Sequence, residues 1–455
     1  MVTTEKVAKL IVDFKYDIIP PRGIEQAKAA FIDAVGVSLL GVHEPAEQAL
    51  MKYSRGGEPE ARIWGTGERT TLRNAVLVNS ACVHAIDYDN GGSLGHPSCL
   101  FVPAALGLAE KFKVSGRQLM EAYAVAVELG GRMRESLGDI QMGAGWHATS
   151  LLGPMCVAAL ASKLMGLDVQ QTRMALALAA PLGSGLLQSF GTDSKALQVA
   201  RASESGILAA LLASEGCCGD PYILEEAKGF YYVYGQEQGS IKQLTSNFGK
   251  PVLLAAERGH FKQWPCCGGN YEALSALYDM LSDGEVSAGE ANASEITRVE
   301  VATSMKPLGP VIRLRPRTAD EGRFSLPYNV ASCLIDGKVD LATFTEEKFA
   351  RPAVQELLNK VDMVWHPECA GKPARLQGES RFVDVVIYMK DGRVLRRHQD
   401  ASNRKQLTAE QVYDKFAGVA RSVGKEEEKI QKAIALVKSF ESCEDGKELL
   451  DLVCG

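Results

Sequence analysis

At 455 residues, 46% of them hydrophobic and 23% charged, the chain is long for one core, which stops growing at roughly 250–300 residues, so two domains are expected. The formal net charge of −6 argues against nucleic acid and anionic membrane surfaces as partners. No run of about 18 uncharged apolar residues stands out, so no membrane span is expected.

The first residues, MVTTEKVAKLIVDFK, read as an amphipathic helix over 3–15 with a threonine cap, not as a signal peptide. Pro20-Pro21 sets up a second helix, RGIEQAKAAFIDAVGVSLLGV, and ARIWG at 61–65 is β-like. Helices are predicted near 70–83, 97–112, 115–136, 146–165 and 168–180, rich in Ala, Leu and Gly that let helices approach closely. A long apolar helix is expected from about Val199. Composition changes near 250–270, at GHFKQWPCCGGNYEAL, which reads as a hinge or domain boundary before a helix near Asn270. The pattern then turns α+β. EITRVEVATS (295–304) alternates like a half-buried strand, FSLPYNVASCLIDG (324–337) is helical, and shorter helical pieces fall at 343–360. RFVDVVIYMKDGRVLRRHQD (381–400) is a hairpin turning at Asp391-Gly392. From about 408 the chain is helical again.

Eleven cysteines are spread along the chain, several inside apolar runs (Cys82, Cys156, Cys333). That usage suits reduced thiols and a cytoplasmic setting. Cys217-Cys218 and Cys266-Cys267 are adjacent pairs without C-x-x-C spacing, so no metal centre is expected. No glycine-rich nucleotide motif follows a strand, and no organic cofactor is expected.

Four stretches carry candidate chemistry. HAIDYDNGGSLGHPS (84–98) pins Asp87, Asp89 and His96 in a polar loop between two apolar helices. The structural alternative there is that Asp87 caps a helix and His96-Pro97 makes a turn. AGWHATS (144–150) places His147 at a helix start. PLGSGLLQSFGTDSK carries Lys195 on a Gly- and Ser-rich loop ahead of a helix, a setting that suits an anion. Lys262 stands in the 250–270 junction. Two histidines that move protons near neutral pH, with two lysines to hold carboxylates, are what C–H abstraction next to a carboxylate needs. Cations must also stabilise the enolate-like charge that develops.

The ordered set HAIDYDN, GHPS, GWHATS, FGTDSKALQVARASESGILAALLA, KQWPCC and RFSLPYNVASCLIDG resembles the MmgE/PrpD family over nearly the whole chain. That family includes enzymes that dehydrate 2-methylcitrate, decarboxylate cis-aconitate or epimerise iminodisuccinate. The resemblance implies a mostly α fold: a large all-helical domain (1–264, completed by 405–455) and a smaller inserted α+β lid domain (265–404), with the active site between them. It further implies a homodimer without a cofactor, acting on a small carboxylate. Carried over by motif, the family's catalytic positions fall on Asp87, His96, His147, Lys195 and Lys262. Asp89, Ser98 and Cys267 are expected to line the substrate, and Tyr328 is a further candidate. Three positions depart from the family pattern. Asn90 follows Asp89 where Asp-Asp is usual, and Ala196-Leu197-Gln198 follows Lys195 where Pro and then a histidine are usual. Cys267 stands where decarboxylases carry a histidine.

These readings rank water elimination from a tricarboxylate of the 2-methylcitrate kind first. Epimerisation of a dicarboxylate is the alternative. Decarboxylation of cis-aconitate and an inactive carboxylate-binding homologue follow.

Overall fold

The computed structural model describes residues 1–138, 140, 144–235, 240–256, 259–304, 310–369, 381–403 and 406–454. Two compact units divide the chain: Met1–Leu187 with Asp193–Phe261 and Leu407–Gly455, and Gln188–Thr192 with Lys262–Gln406. The first junction lies three residues before the expected one. The expected return at 404/405 falls outside the described residues. The excursion Gln188–Thr192 had no sequence signal; Arg313 holds it in the second unit by donating to the carbonyls of Gln188 and Phe190.

The first unit is helical. It contains α1 (Thr3–Asp13), α2 (Pro21–Gly41), α3 (Pro45–Ser54), α4 (Leu72–His84), α5 (Ser98–Lys111), α6 (Gly116–Leu137), α7 (Ala148–Met165), α8 (Val169–Ala179) and α9 (Asp193–Ser214). Side-chain caps set several starts. Thr71 accepts from the Asn74 N–H ahead of α4, and Ser115/Gln118 and Asp168/Gln171 form capping boxes on α6 and α8. Helix α3 was not anticipated from sequence; its half-polar stretch carries only a Pro45 start signal. The ARIWG segment contributes only the two-residue strand β1 (Ala61–Arg62), paired with β2 (Arg69–Thr70).

Small residues let α7 and α9 lie close. A Cβ on Gly206 would stand 2.5 Å from the Val157 Cβ and 2.6 Å from the Pro154 carbonyl oxygen. Helix α7 is long and apolar enough to cross a membrane by length and composition, although no such helix was expected. Most of it is buried inside the protein. Past the second unit the chain returns to this core, where the first helix of the C-terminal segment, Ala409–Ser422, called the C-terminal helix below, buries Val412, Tyr413, Phe416, Ala417 and Ala420.

In the second unit a four-stranded sheet has the order β4–β3–β5–β6, with β3 Ile296–Thr303, β4 Val361–Trp365, β5 Phe382–Met389 and β6 Val394–Asp400. The β5–β6 hairpin turns at Asp391-Gly392, where Gly392 has φ +88°. Strand β4 pairs parallel to β3, Val299 opposite Val361, and was not anticipated: VDMVW is short and follows helical pieces. Alternate strand residues Val299, Val301, Val383, Val385 and Ile387 form one buried face. The helices Tyr271–Ser282 and Leu326–Asp336 pack into the same core, joined by Val354, Leu357 and Leu358 of a third helix.

Candidate active site

Four helix ends meet in the first unit. Helix α4 ends at His84, Ser98 opens α5, His147 immediately precedes α7, and Lys195 lies in the first turn of α9. Lys195 was expected on a loop, but α9 begins six residues before the predicted start. Its Asp193-Ser194 opening is polar, so apolar periodicity alone places the start too late. Beginning a helix here puts Lys195 and Gln198, three apart, on one face.

The loop between α4 and α5 is pinned at several points. Gly91 and His260 exchange backbone hydrogen bonds, each 2.9 Å, so the stretch read as a hinge or domain boundary is tied to the loop just before the unit boundary at Phe261/Lys262. Gly92 and Gly95 close a tight turn, and Gly95 sits at φ +128°, a conformation side chains rarely adopt. The His96 N–H donates to the Thr149 hydroxyl at the start of α7. From the C-terminal helix, Lys415 donates to the Tyr88 carbonyl and lies 3.7 Å from the centre of its ring. Asp87 has φ +53°, a left-handed conformation for a non-glycine residue. Its side chain reaches Lys195.

The side chains form one connected cluster. Asp89, fully buried, accepts from Nδ1 of His84 at 3.1 Å and from Nδ1 of His96 at 3.1 Å. On its other edge His84 Nε2 faces the Lys195 Nζ at 2.7 Å, and Lys195 also donates to Asp87 Oδ1 at 2.6 Å. Asp87 Oδ1 stands 3.9 Å from His96 Nε2. The His84 ring stacks on His147 with centroids 6.0 Å apart and meets His96 edge-on at 4.7 Å. His147 Nδ1 faces the Gln198 amide nitrogen at 2.7 Å. Of the three rings, His96 is the most open, its side chain 18% exposed.

Electrostatics divide these groups. Burial, then the Lys195 charge, pushes His84 down to about 4, so it is neutral at pH 7. Burial also drives His147 well below the usual histidine range, and the neighbouring His84, Lys195 and His96 groups, which disfavour a further positive charge, act in the same direction. Burial alone would raise Asp89, but the two histidines that bond it hold it well below the carboxylate range. Asp89 is therefore ionised, and each ring bonded to it presents Nδ1–H to it.

One donor atom from each of His84, Asp87, Asp89 and His96 lies within 4.8 Å of the others, a spacing that could hold a cation. The Lys195 ammonium already fills that role, bonded to Asp87 and His84; a metal ion would have to displace it.

Asp89 was expected to meet substrate, but it is buried and bonded to two histidines. Ser98 was expected there too; its hydroxyl instead pairs with the Tyr123 hydroxyl at 2.9 Å in the core. Lys262, Cys267 and Tyr328 belong to the second unit. Lys262 is buried, and the Cys267 N–H donates to the Arg323 carbonyl. Tyr328 is a core residue: its hydroxyl donates to the Thr343 carbonyl and its ring packs on Phe344 and Phe349. Sequence reasoning gave no role to His84 or Gln198. The usable signals were that His84 opens the polar stretch and that Gln198 follows Lys195 by one helical turn.

A buried carboxylate orienting two imidazoles, beside a lysine–aspartate pair, is an arrangement able to move a proton. Two family models match the chain in succession: the MmgE/PrpD N-terminal domain matches residues 5–241 and the MmgE/PrpD C-terminal domain matches residues 264–439. The chain belongs to the MmgE/PrpD family. It is 27% identical to the human cis-aconitate decarboxylase, over 99% of this chain and 94% of that protein. The mouse cis-aconitate decarboxylase is also 27% identical, over 99% of this chain and 93% of that protein. For the cis-aconitate decarboxylase of Aspergillus terreus the identity is 26%, over 96% and 93%.

Proposed function

We propose that this protein is a lyase that moves a proton at a carbon next to a carboxylate of a small tricarboxylic acid, eliminating water in the manner of a 2-methylcitrate dehydratase. The observation that carries this reading is the Asp89-oriented pair of rings beside Lys195, with His96 the most open of the three histidines. In this chemistry the C–H bond breaks to an imidazole nitrogen. The electron pair forms the alkene as the neighbouring C–O bond breaks, and hydroxyl and proton leave as water. Carboxylates on the substrate are held by lysine charge, with Lys195 in that role.

A second reading is decarboxylation of cis-aconitate. It is favoured by full-length likeness to proteins of that name, and Cys267 in place of a histidine speaks against it. Proton NMR in D₂O with 2-methylcitrate, citrate, cis-aconitate and iminodisuccinate decides among the reactions. A new alkene signal with loss of water is expected. Release of CO₂ from cis-aconitate would replace this reading with the second. Exchange of the α-proton with the carbon skeleton intact would replace it with epimerisation.

A further inference from the structure

We infer that Gln198 is a positioning residue that fixes the tautomer of His147, making His147 a neutral Nε2–H hydrogen-bond donor and leaving His96 as the base. The catalytic half of this assignment rests on the function proposed above; the tautomer half stands on geometry alone.

The geometry begins with two backbone segments. The Leu187 N–H donates to the Gly145 carbonyl at 2.8 Å and the His147 N–H to the Gly185 carbonyl at 3.1 Å, so 145–147 and 185–187 run as a short antiparallel pair. Gln198, on α9, spans both segments. Its side-chain Oε1 accepts from the Leu186 N–H at 3.0 Å, and its Nε2 lies 3.3 Å from the Leu186 carbonyl. Turning the amide over would set N–H against N–H and oxygen against oxygen, so these two contacts fix its orientation. The Ser150 hydroxyl donates to the Gln198 backbone carbonyl at 2.7 Å, which holds this turn of α9 against the start of α7.

With the amide fixed, its N–H₂ faces His147 Nδ1 at 2.7 Å. A donor meets that nitrogen, so the nitrogen accepts. The proton of neutral His147 must then sit on Nε2, and a second proton on Nδ1 would collide with the amide hydrogens. His96 is set the opposite way: its Nδ1–H goes to Asp89, so Nε2 carries the lone pair. His96 can therefore take a proton from carbon. His147 offers a hydrogen bond to an oxygen on which negative charge develops, as a preorganised donor does. The proton taken by His96 departs with the hydroxyl as water, so the cycle balances without a proton from His147.

The test is ring ¹⁵N NMR of histidine-labelled protein without substrate, with the His147 signals identified by their loss in His147→Asn. The expected spectrum has Nδ1 at the unprotonated and Nε2 at the protonated position for His147. Gln198→Glu, whose carboxylate accepts from Nδ1–H, should invert the pattern. In Gln198→Ala the two signals should move toward average positions. A protonated Nδ1 in the native protein, or a tautomer that Gln198→Glu leaves unchanged, overturns the inference. These spectra need no substrate, so they decide the tautomer whatever carboxylate the protein turns over. With a substrate in hand, Gln198→Glu should lower kcat on the order of 10²-fold with a smaller change in KM. Unchanged kcat with an inverted tautomer would overturn the donor role.

Discussion

Asp89 has no exposed surface, yet two imidazole rings converge on it. Asp89→Asn keeps the size but replaces one carboxylate oxygen with an N–H₂, leaving one uncharged acceptor for two ring N–H donors. His96 should lose its orientation, and turnover should fall roughly 10²–10⁴-fold, the scale of one acid–base role. His96→Asn should fall as far, measured by the same NMR assay. Lys195 and Asp87 form a buried pair. Lys195→Met would remove the cation that Asp87 accepts from and should cost roughly 3–5 kcal/mol in urea unfolding. Adding Asp87→Asn should recover part of that loss, since the buried negative charge is then gone. At this scale the motif histidines His96 and His147 were legible because glycine, proline and small polar residues surround them. The inward aim of Asp89, and the pairing of Ser98 with Tyr123, were not. Side-chain direction at a loop–helix junction depends on the neighbouring helix, which sequence spacing does not contain.

Helices α7 and α9 carry His147, Lys195 and Gln198, and their spacing depends on Gly206. Gly206→Val would press a branched side chain on Val157 and should destabilise the protein by roughly 1–3 kcal/mol. It should also lower turnover by shifting the two helices that bear the site. Thermal unfolding together with kinetics would separate the two effects; full activity with unchanged stability would contradict this packing role. Most helices were legible from periodicity and caps, as at Ser115/Gln118. The start of α9 and strand β4 were not. Polar first turns carry no apolar period, and a short strand is recognisable only beside the strand it pairs with.

Protonation couples the site to the stability of the whole molecule. An unfolded histidine titrates near 6.5, whereas folded His84 titrates at about 4 and His147 is displaced in the same direction. Between these values the unfolded chain binds more protons, so stability rises with pH there and is lost as pH falls from 6.5 toward 4. His84 alone should account for about 3 kcal/mol across that window. Asp89, held low, adds a loss in the same direction at more acid pH. Urea midpoints between pH 7 and 4 would measure the slope. His84→Gln should flatten it, and an unchanged slope would exclude His84 as its source.

The amino-acid sequence by itself determined the helical first part, the α+β second part, the hairpin at Asp391-Gly392 and the family. Each is written in local periodicity, caps, turn residues or ordered motifs. Only the tertiary structure decided that His84 bridges Asp89 and Lys195, that Gln198 meets His147, and that the C-terminal helix supports the loop through Lys415. These contacts join residues from 5 to 327 positions apart along the chain. Bond direction and burial, which set who donates to whom and which rings stay neutral, exist only once the helices pack.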